Sequence, residues 1–137
     1  LSEQFAERKV KKYYHALTVQ APEARSGTLE HWHRKEKKKA VLYRDEIQYS
    51  EKALLRYEIS DAGKNQFLWT IELHTGKYHQ IRAQLAHLGC PVIGDSMYGS
   101  DIPYHADNIA LHAWKLVFFH PVTNEEMCIE KKSEFRL

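Results

Sequence analysis

The sequence predicts an α+β domain in which a mixed, mostly antiparallel sheet packs against one main helix. Several stretches alternate apolar and polar side chains, which is the two-residue period of strands. Residues 76–89 instead place apolar side chains at helical spacing and end at Gly89, with Pro91 just beyond, as is typical of a helix C-terminus. A chain of 137 residues without an internal repeat or linker is long enough for one domain with a real core.

The first half of the chain is predicted to supply most of the sheet. The predicted elements are, in order, a short helix at residues 1–10, a strand at 11–20, a turn region at 21–28, a stretch without clear period at 29–39, an extended segment at 40–49, a strand at 52–60, a hairpin turn at 61–65 and a strand at 66–74. The last of these strands is apolar on both faces, so we expect it to lie centrally.

The second half is predicted to contain the helix and the last two strands. Thr75 is the expected N-cap, and Ile81, Leu85 and Leu88 form the stripe that faces the core. The elements that follow are a loop at residues 91–106, a long apolar strand at 108–120, a turn at 121–125 and an edge strand at 126–131.

Composition excludes several classes of protein. The net charge is only +2, so the overall charge does not indicate a nucleic-acid partner. No apolar run reaches the roughly 20 residues needed to span a bilayer, and the polar start is unlike a signal peptide. The free-standing Cys90 and Cys128 fit a reducing, cytoplasmic location. No HExxH, CxxC, glycine-rich phosphate loop or GxSxG motif is present, so we expect neither a metal site nor an ordinary hydrolase.

A polar cluster at the start of the predicted helix is the first candidate site. Lys77, His79, Gln80 and Arg82 surround backbone N–H groups that attract anions. Arg82 lies about 60° from Leu85 on a helical wheel, so it borders the buried stripe. A half-buried guanidinium requires a partner, usually a carboxylate held by two hydrogen bonds. From spacing alone, pairing with a structural Asp or Glu of the same domain is favoured.

A loop between two glycine-containing pairs, Gly94-Asp95 and Tyr98-Gly99, follows the helix. The glycines permit positive φ angles and close approach of a ligand or of backbone. Asp95 has two interpretations: a catalytic carboxylate, or a side chain that caps its own loop. The second interpretation is favoured.

A basic run is the second candidate site. Its cations lie beside two aromatic residues, an arrangement that suits RNA backbone contact with base stacking, although such a run is also typical of a solvated loop. The cations are Arg34, Lys35, Lys37, Lys38 and Lys39, and the aromatic residues are Trp32 and Tyr43.

The stretch TGKYHQIRAQLAHLGCPVIGDSMYG, residues 75–99, resembles the signature of the RluA family of pseudouridine synthases, with HQIR, GCP and GD-x-x-YG in the family's order. KKYYHAL and ALHAWKLVFFHPVT resemble two further family segments, and LSEQFAERKV resembles the helix before the first of them. The resemblance implies part of the pseudouridine synthase catalytic fold. It implies isomerisation of uridine to pseudouridine in ribosomal or transfer RNA, on a flipped-out base and without metal or cofactor.

The resemblance also implies roles for individual residues. Tyr14 falls at the tyrosine that packs on the uracil and is implicated in removing the C5 proton, and Arg82 at the arginine that pairs with the catalytic aspartate. RNA contacts are expected from Lys77, His79 and Gln80 as well as from the basic run. Lys77 replaces the family's usual arginine, and Ala83-Gln84 stands where Val-His is frequent, so these positions are expected to tune RNA contacts.

One family feature has no counterpart in the sequence. The His-Arg-Leu-Asp segment that carries the catalytic aspartate is absent, and Asp45, Asp61, Asp95, Asp101 and Asp107 lie in other motifs. We therefore expect residues 1–137 to be the C-terminal part of a catalytic domain. Such a piece would be inactive alone and would leave Arg82 without its partner. The alternative is a non-catalytic RNA-binding module that retains the scaffold. An open sheet edge further predicts a dimer.

Overall fold

The structure is a computed structural model that describes residues 10–104, 108–119, 122–123 and 125–130. Within these residues a seven-stranded sheet has the order β3-β2-β4-β5-β1-β6-β7, and every strand pairing is antiparallel. The elements are β1 (Lys11–Thr18), β2 (Ser26–Glu36), β3 (Lys39–Tyr43), β4 (Glu51–Asp61), β5 (Phe67–Leu73), α1 (Gln80–His87), a short 3-10 helix (Ser96–Tyr98), β6 (Leu111–Phe119) and β7 (Glu126–Glu130). The predicted α+β class is confirmed, with β5 central and β7 at an edge. The helix predicted for residues 1–10 lies outside the described residues, apart from Val10.

The core lies on one face of the sheet, where β5 supplies its largest side chains. Trp69 and Ile71 are fully buried and pair in register with Ala16 and Tyr14 of β1. Residues paired directly across strands share a face, so Tyr14 lies on the core side. The Trp69 indole N–H donates to Thr18 Oγ1 at 2.8 Å, which satisfies its one polar atom.

The stretch 29–39, which has no clear period in the sequence, forms most of β2 and its turn into β3. Leu29 and His33 are buried at 8% and 6% exposure, but charged residues stand between and after them. The ladder from β2 to β4 ends at the pair His33 and Glu51, while β2 and β3 continue pairing as far as Glu36 and Lys39. The basic run therefore lies on a hairpin that projects beyond β4. Charged residues on this hairpin interrupt the apolar–polar alternation by which a strand is predicted from sequence.

The helix begins later than predicted. Its N-cap is His79, in the left-handed region with φ 52°, and it runs from Gln80 to His87. Thr75 does not cap it, because Thr75 Oγ1 accepts the Leu54 N–H at 2.8 Å and bonds Gln80 Oε1 at 2.8 Å. The predicted C-terminus is confirmed: Gly89 has φ 81°, and its N–H donates to Ala86 O.

The helix packs on the sheet through Ile81 and Leu85, which are 5% and 0% exposed, with Leu88 partly buried beside them. Within the described part of the chain, no helix is long and apolar enough to cross a bilayer.

Candidate functional site

An ion pair between α1 and the loop before the 3-10 helix is the most buried charged feature of the described residues. Arg82 Nε donates to Asp95 Oδ2 and Arg82 Nη2 to Asp95 Oδ1, both at 2.8 Å. The Asp95 side chain is 1% exposed and that of Arg82 is 20% exposed. The pair is thus bidentate and largely removed from water, and the hydrogen bond to Asp95 raises the pKa of Arg82.

This ion pair corrects two expectations. Arg82 is not left without a carboxylate, because it forms an ion pair with Asp95 of the same domain. This is the kind of partner that the helical spacing favoured. The loop-capping interpretation of Asp95 is wrong, because its side chain makes no cap hydrogen bond and is directed to Arg82 instead. Helical spacing could place Arg82 near the core but could not identify a partner 13 residues away.

His79 extends this pair into a hydrogen-bonded network. Arg82 Nη1 lies 2.9 Å from His79 Nε2, and His79 Nδ1 lies 2.7 Å from the Tyr98 hydroxyl. Because a guanidinium only donates, Nε2 accepts and the proton of the neutral ring is on Nδ1. Burial and the neighbouring Arg82 lower the pKa of His79, which agrees with a neutral imidazole. The Tyr98 hydroxyl also accepts the Ala40 N–H at 2.9 Å, which joins the network to β3.

Two glutamines of the helix are structural. Gln80 is 3% exposed; its Oε1 accepts from Lys77 N–H at 3.0 Å, and its Nε2 donates to Leu54 O at 3.1 Å. Gln84 is fully buried, and its Nε2 donates to Ala53 O at 3.2 Å. The RNA contact predicted for Gln80 and the RNA-tuning role expected at Gln84 therefore disagree with the structure. Their amides hold the helix to the sheet, a role that only tertiary neighbours define.

Tyr14 borders a different feature, an apolar cavity of about 220 Å³ between β1 and β6. A register shift between Tyr13 and Tyr14 breaks the ladder with β6 at this point, and Tyr14 lies opposite Ala113. The cavity is lined by Lys12, Tyr13, Tyr14, Ala113, Trp114, Lys115, Leu116 and Ile129. Its walls combine aromatic rings with aliphatic side chains, and none of these residues is acidic. Such walls can take up a flat apolar ring.

A cleft of about 770 Å³ lies where the projecting β2–β3 hairpin meets the segment before α1, and we call it the basic cleft. It is lined by His33, Arg34, Lys35, Glu36, Tyr49, Glu51, Gly76, Lys77 and Tyr78. The structure thus brings Lys77 together with the first residues of the basic run. The exposed Lys37, Lys38 and Lys39 lie at the hairpin turn beyond it.

The cations of the basic cleft differ in their partners. Arg34 lies 2.7 Å from Glu36, and Lys77 lies 2.8 Å from Glu51. The Lys35 ammonium lies 4.2 Å from the centre of the Tyr78 ring and is in no ion pair with the described acidic residues. Lys35 therefore carries the least neutralised charge of the cleft lining.

The aromatic residues around the basic cleft also differ from the prediction. The Tyr43 hydroxyl bonds Glu36 and Arg34, and the Trp32 ring faces Lys52, so both predicted stacking residues have protein partners. Tyr49, which the sequence did not single out, is 82% exposed at the edge of the cleft. Its only sequence signal is an aromatic residue inside a polar segment.

No metal site emerges from the described residues, where no three His, Cys, Asp or Glu side chains converge.

Three partly buried histidines predict how stability depends on pH. Burial lowers the pKa of His15, His31 and His79, so the folded protein holds these rings neutral when the unfolded chain already binds protons. Their contribution is complete above the ordinary histidine pKa of about 6.5 and is lost as pH falls through the lower folded values. We expect the free energy of unfolding, measured by urea denaturation, to decrease between pH 7.5 and pH 5.

A matched variant isolates one of these rings. His79→Asn keeps a residue that tolerates the left-handed backbone and should flatten part of that slope. Stability that is level or rises as pH falls over this range would contradict the expectation. Glu36 and Glu51 contribute little to the change in unfolding free energy over this pH range, because hydrogen bonds lower their pKa values and they titrate at lower pH.

The fold and site define a class of protein that combines a basic cleft with a separate apolar cavity lined by Tyr14. Comparison with known proteins gives the family. The RNA pseudouridylate synthase family matches residues 1–87. An uncharacterized RNA pseudouridine synthase of Chlorobaculum parvum is 33% identical over 93% of this chain and 45% of its own length. The chain belongs to the RluA family of RNA pseudouridine synthases, as its motifs predicted.

Other relatives agree with this assignment. Ribosomal large subunit pseudouridine synthase D of Vibrio cholerae is 36% identical over 55% of this chain and 27% of its own length. The structure of human RNA pseudouridylate synthase domain containing 1 shares the fold with a TM-score of 0.78 at 23% identity, covering 96% of this chain and 58% of that one. The chain spans a little under half the length of the first curated relatives it matches.

Proposed function

We propose that this chain supplies part of the active site of an RNA pseudouridine synthase. The observation that carries the proposal is the position of Tyr14, which lines an apolar cavity between β1 and β6. In the reaction the bond from uracil N1 to the ribose breaks, the base is reattached through C5, and the C5 proton is removed. A uridine must leave its stack to reach the cavity. Tyr14 then packs on the uracil ring.

The proposed substrate is a uridine in ribosomal or transfer RNA. The exposed lysines of the β2–β3 hairpin would contact phosphates, and the cleft below them contains Lys35. Lys77 and His79 are proposed to act differently. Lys77 already pairs with Glu51, and His79 is held by Arg82 and Tyr98, so both shape the surface near the RNA more than they neutralise phosphate. The reduced Cys90 and Cys128 suit a cytosolic enzyme.

We further propose that this chain alone does not isomerise uridine. None of the described residues that line the Tyr14 cavity is acidic, and both oxygens of Asp95 are bonded to Arg82. A carboxylate that attacks the sugar would have to come from a segment this sequence does not contain. Arg82, whose side chain is 20% exposed, would then meet that segment beside Asp95.

Tritium release from RNA labelled at uridine C5 tests both statements. We expect none from this chain alone and measurable release when an upstream segment bearing His-Arg-Leu-Asp, taken from a family relative, is joined to it. In the joined protein Tyr14→Ala should lower release about 100-fold or more, on the scale of losing a proton-transfer group. Tritium release by the chain alone would refute the proposal that the required carboxylate is missing from it. A joined protein that folds but has no activity would refute the proposal that the chain supplies part of a synthase active site.

The second candidate function is a non-catalytic RNA-binding module. The basic cleft and hairpin favour it because they need no carboxylate. This function predicts salt-sensitive RNA binding without tritium release even in the joined protein.

Dimerisation through the β7 edge stays a further proposal. Met127 and Ile129 there are 37% and 57% exposed, so a second copy could pair along this strand. Light scattering that gives the mass of one chain at high concentration would reject it.

A further inference from the structure

We infer that the basic cleft holds an unpaired nucleotide of the RNA outside the Tyr14 cavity, with its base stacked on Tyr49 and a phosphate beside Lys35. This inference rests on the proposed RNA substrate. It adds a binding position on a different part of the molecule from the Tyr14 cavity, since the two features share none of the described lining residues.

Tyr49 is an exposed aromatic residue on a strained backbone. It has φ 65°, in the left-handed region that favours glycine or asparagine, and its side chain is 82% exposed. The conformation costs about 1–2 kcal/mol for a side chain of this kind, and an exposed ring returns little burial energy. A residue that costs stability and packs on so little protein indicates a ligand that uses the ring.

The turn that carries Tyr49 is fixed by hydrogen bonds beside the cleft. Ser50 Oγ accepts the Ile47 N–H at 3.0 Å and donates to Ile47 O at 2.6 Å, and Ser50 N–H donates to Ile47 O at 3.1 Å. Arg34 Nη1 donates to Gln48 O at 3.3 Å and ties the turn to β2. Because the backbone of the turn is already fixed, only the Tyr49 side chain loses conformational freedom on binding.

The charge beside the ring selects a nucleotide over an apolar ligand. Lys35 lines the same cleft, and its ammonium rests on the Tyr78 ring, which takes none of its N–H donors. A cation in a groove with an adjacent aromatic ring is the arrangement that binds unpaired nucleic acid. The bases of a duplex are stacked on one another, so Tyr49 can stack only on an unpaired base.

Fluorescence anisotropy with a labelled single-stranded RNA octamer tests the inference on this chain. Stacking on one base is worth about 1–3 kcal/mol, so Tyr49→Ala should weaken binding by about 5- to 150-fold. Tyr49→Phe should bind within about twofold of the wild type, because it keeps the π face. Lys64→Gln, an exposed cation in the β4–β5 turn, is the matched control and should change little.

An abasic octamer separates stacking from a general effect of the variant. On that backbone Tyr49→Ala should bind as the wild type does, since there is no base to lose. Lys35→Gln should reduce the slope of log K against log salt by about 0.7, as for one phosphate on a single strand.

The outcomes distinguish the two proposals. RNA binding by the wild type with no loss in Tyr49→Ala overturns the inference and leaves the RNA substrate standing. No RNA binding by the folded wild type overturns both. Tyr49→Gly adds a check on folding, because it relieves the strained backbone and should be at least as stable as the wild type in urea while still losing affinity.

Discussion

Replacing Arg82 with methionine is expected to lower the free energy of unfolding by about 3 kcal/mol or more. The variant leaves the Asp95 carboxylate, 1% exposed, without the two hydrogen bonds that compensate its burial. Removing one member of a buried ion pair typically costs about 3–5 kcal/mol, and the 20% exposure of Arg82 places the expectation at the lower end. Urea denaturation followed by circular dichroism measures the loss.

Two further variants show whether the loss belongs to the pair. Arg82→Lys keeps the charge but not the bidentate geometry and should cost less than Arg82→Met. The double variant Arg82→Met with Asp95→Leu removes both charges. Its loss of unfolding free energy should be smaller than the sum of the losses in the two single variants. A change below about 0.5 kcal/mol in Arg82→Met would show that the pair is not a stabilising element.

Gly94→Ala is expected to be destabilising by about 2–5 kcal/mol, whereas Gly99→Ala should cost about 1–2 kcal/mol. Both glycines have positive φ, 90° and 105°, so an alanine is strained at either position. Only at Gly94 would the new Cβ also lie 2.6 Å from Asn108 O and 2.6 Å from Tyr104 Cβ. That overlap adds the 1–3 kcal/mol typical of overpacking.

The pair of glycine variants is internally matched, because both flank the same short loop. Thermal and urea unfolding of the two proteins should differ by the cost of the overlap alone. Gly94 also precedes Asp95, so backbone displaced by Gly94→Ala should weaken the contact with Arg82. Equal losses of unfolding free energy in the two variants would contradict this expectation. They would mean that the loop can shift around Gly94 to accommodate the new Cβ without cost.

Sequence pattern predicted those parts of the fold whose signals are local. The end of α1 follows from Gly89, which adopts a left-handed conformation that other residues avoid. The central position of β5 follows from apolar residues on both faces, and Trp69 and Ile71 are indeed fully buried. The family follows from ordered motifs.

The prediction failed where distant partners replace local ones. The helix start was misplaced because Thr75 bonds Leu54 and Gln80 and does not cap the next turn. Most of β2 was missed because it projects as a hairpin with charged residues along it. Gln80 was assigned to RNA, although its amide is used within the protein.

The sequence by itself determined the sheet with its main helix and the family, because these depend on residue type and short spacing. Tertiary structure alone decided what each polar side chain does. It paired Arg82 with Asp95, buried Gln80 and exposed Tyr49 at the basic cleft. The physical reason is that a polar group's role depends on which donors, acceptors or solvent surround it, and these come from strands and loops far apart in the chain.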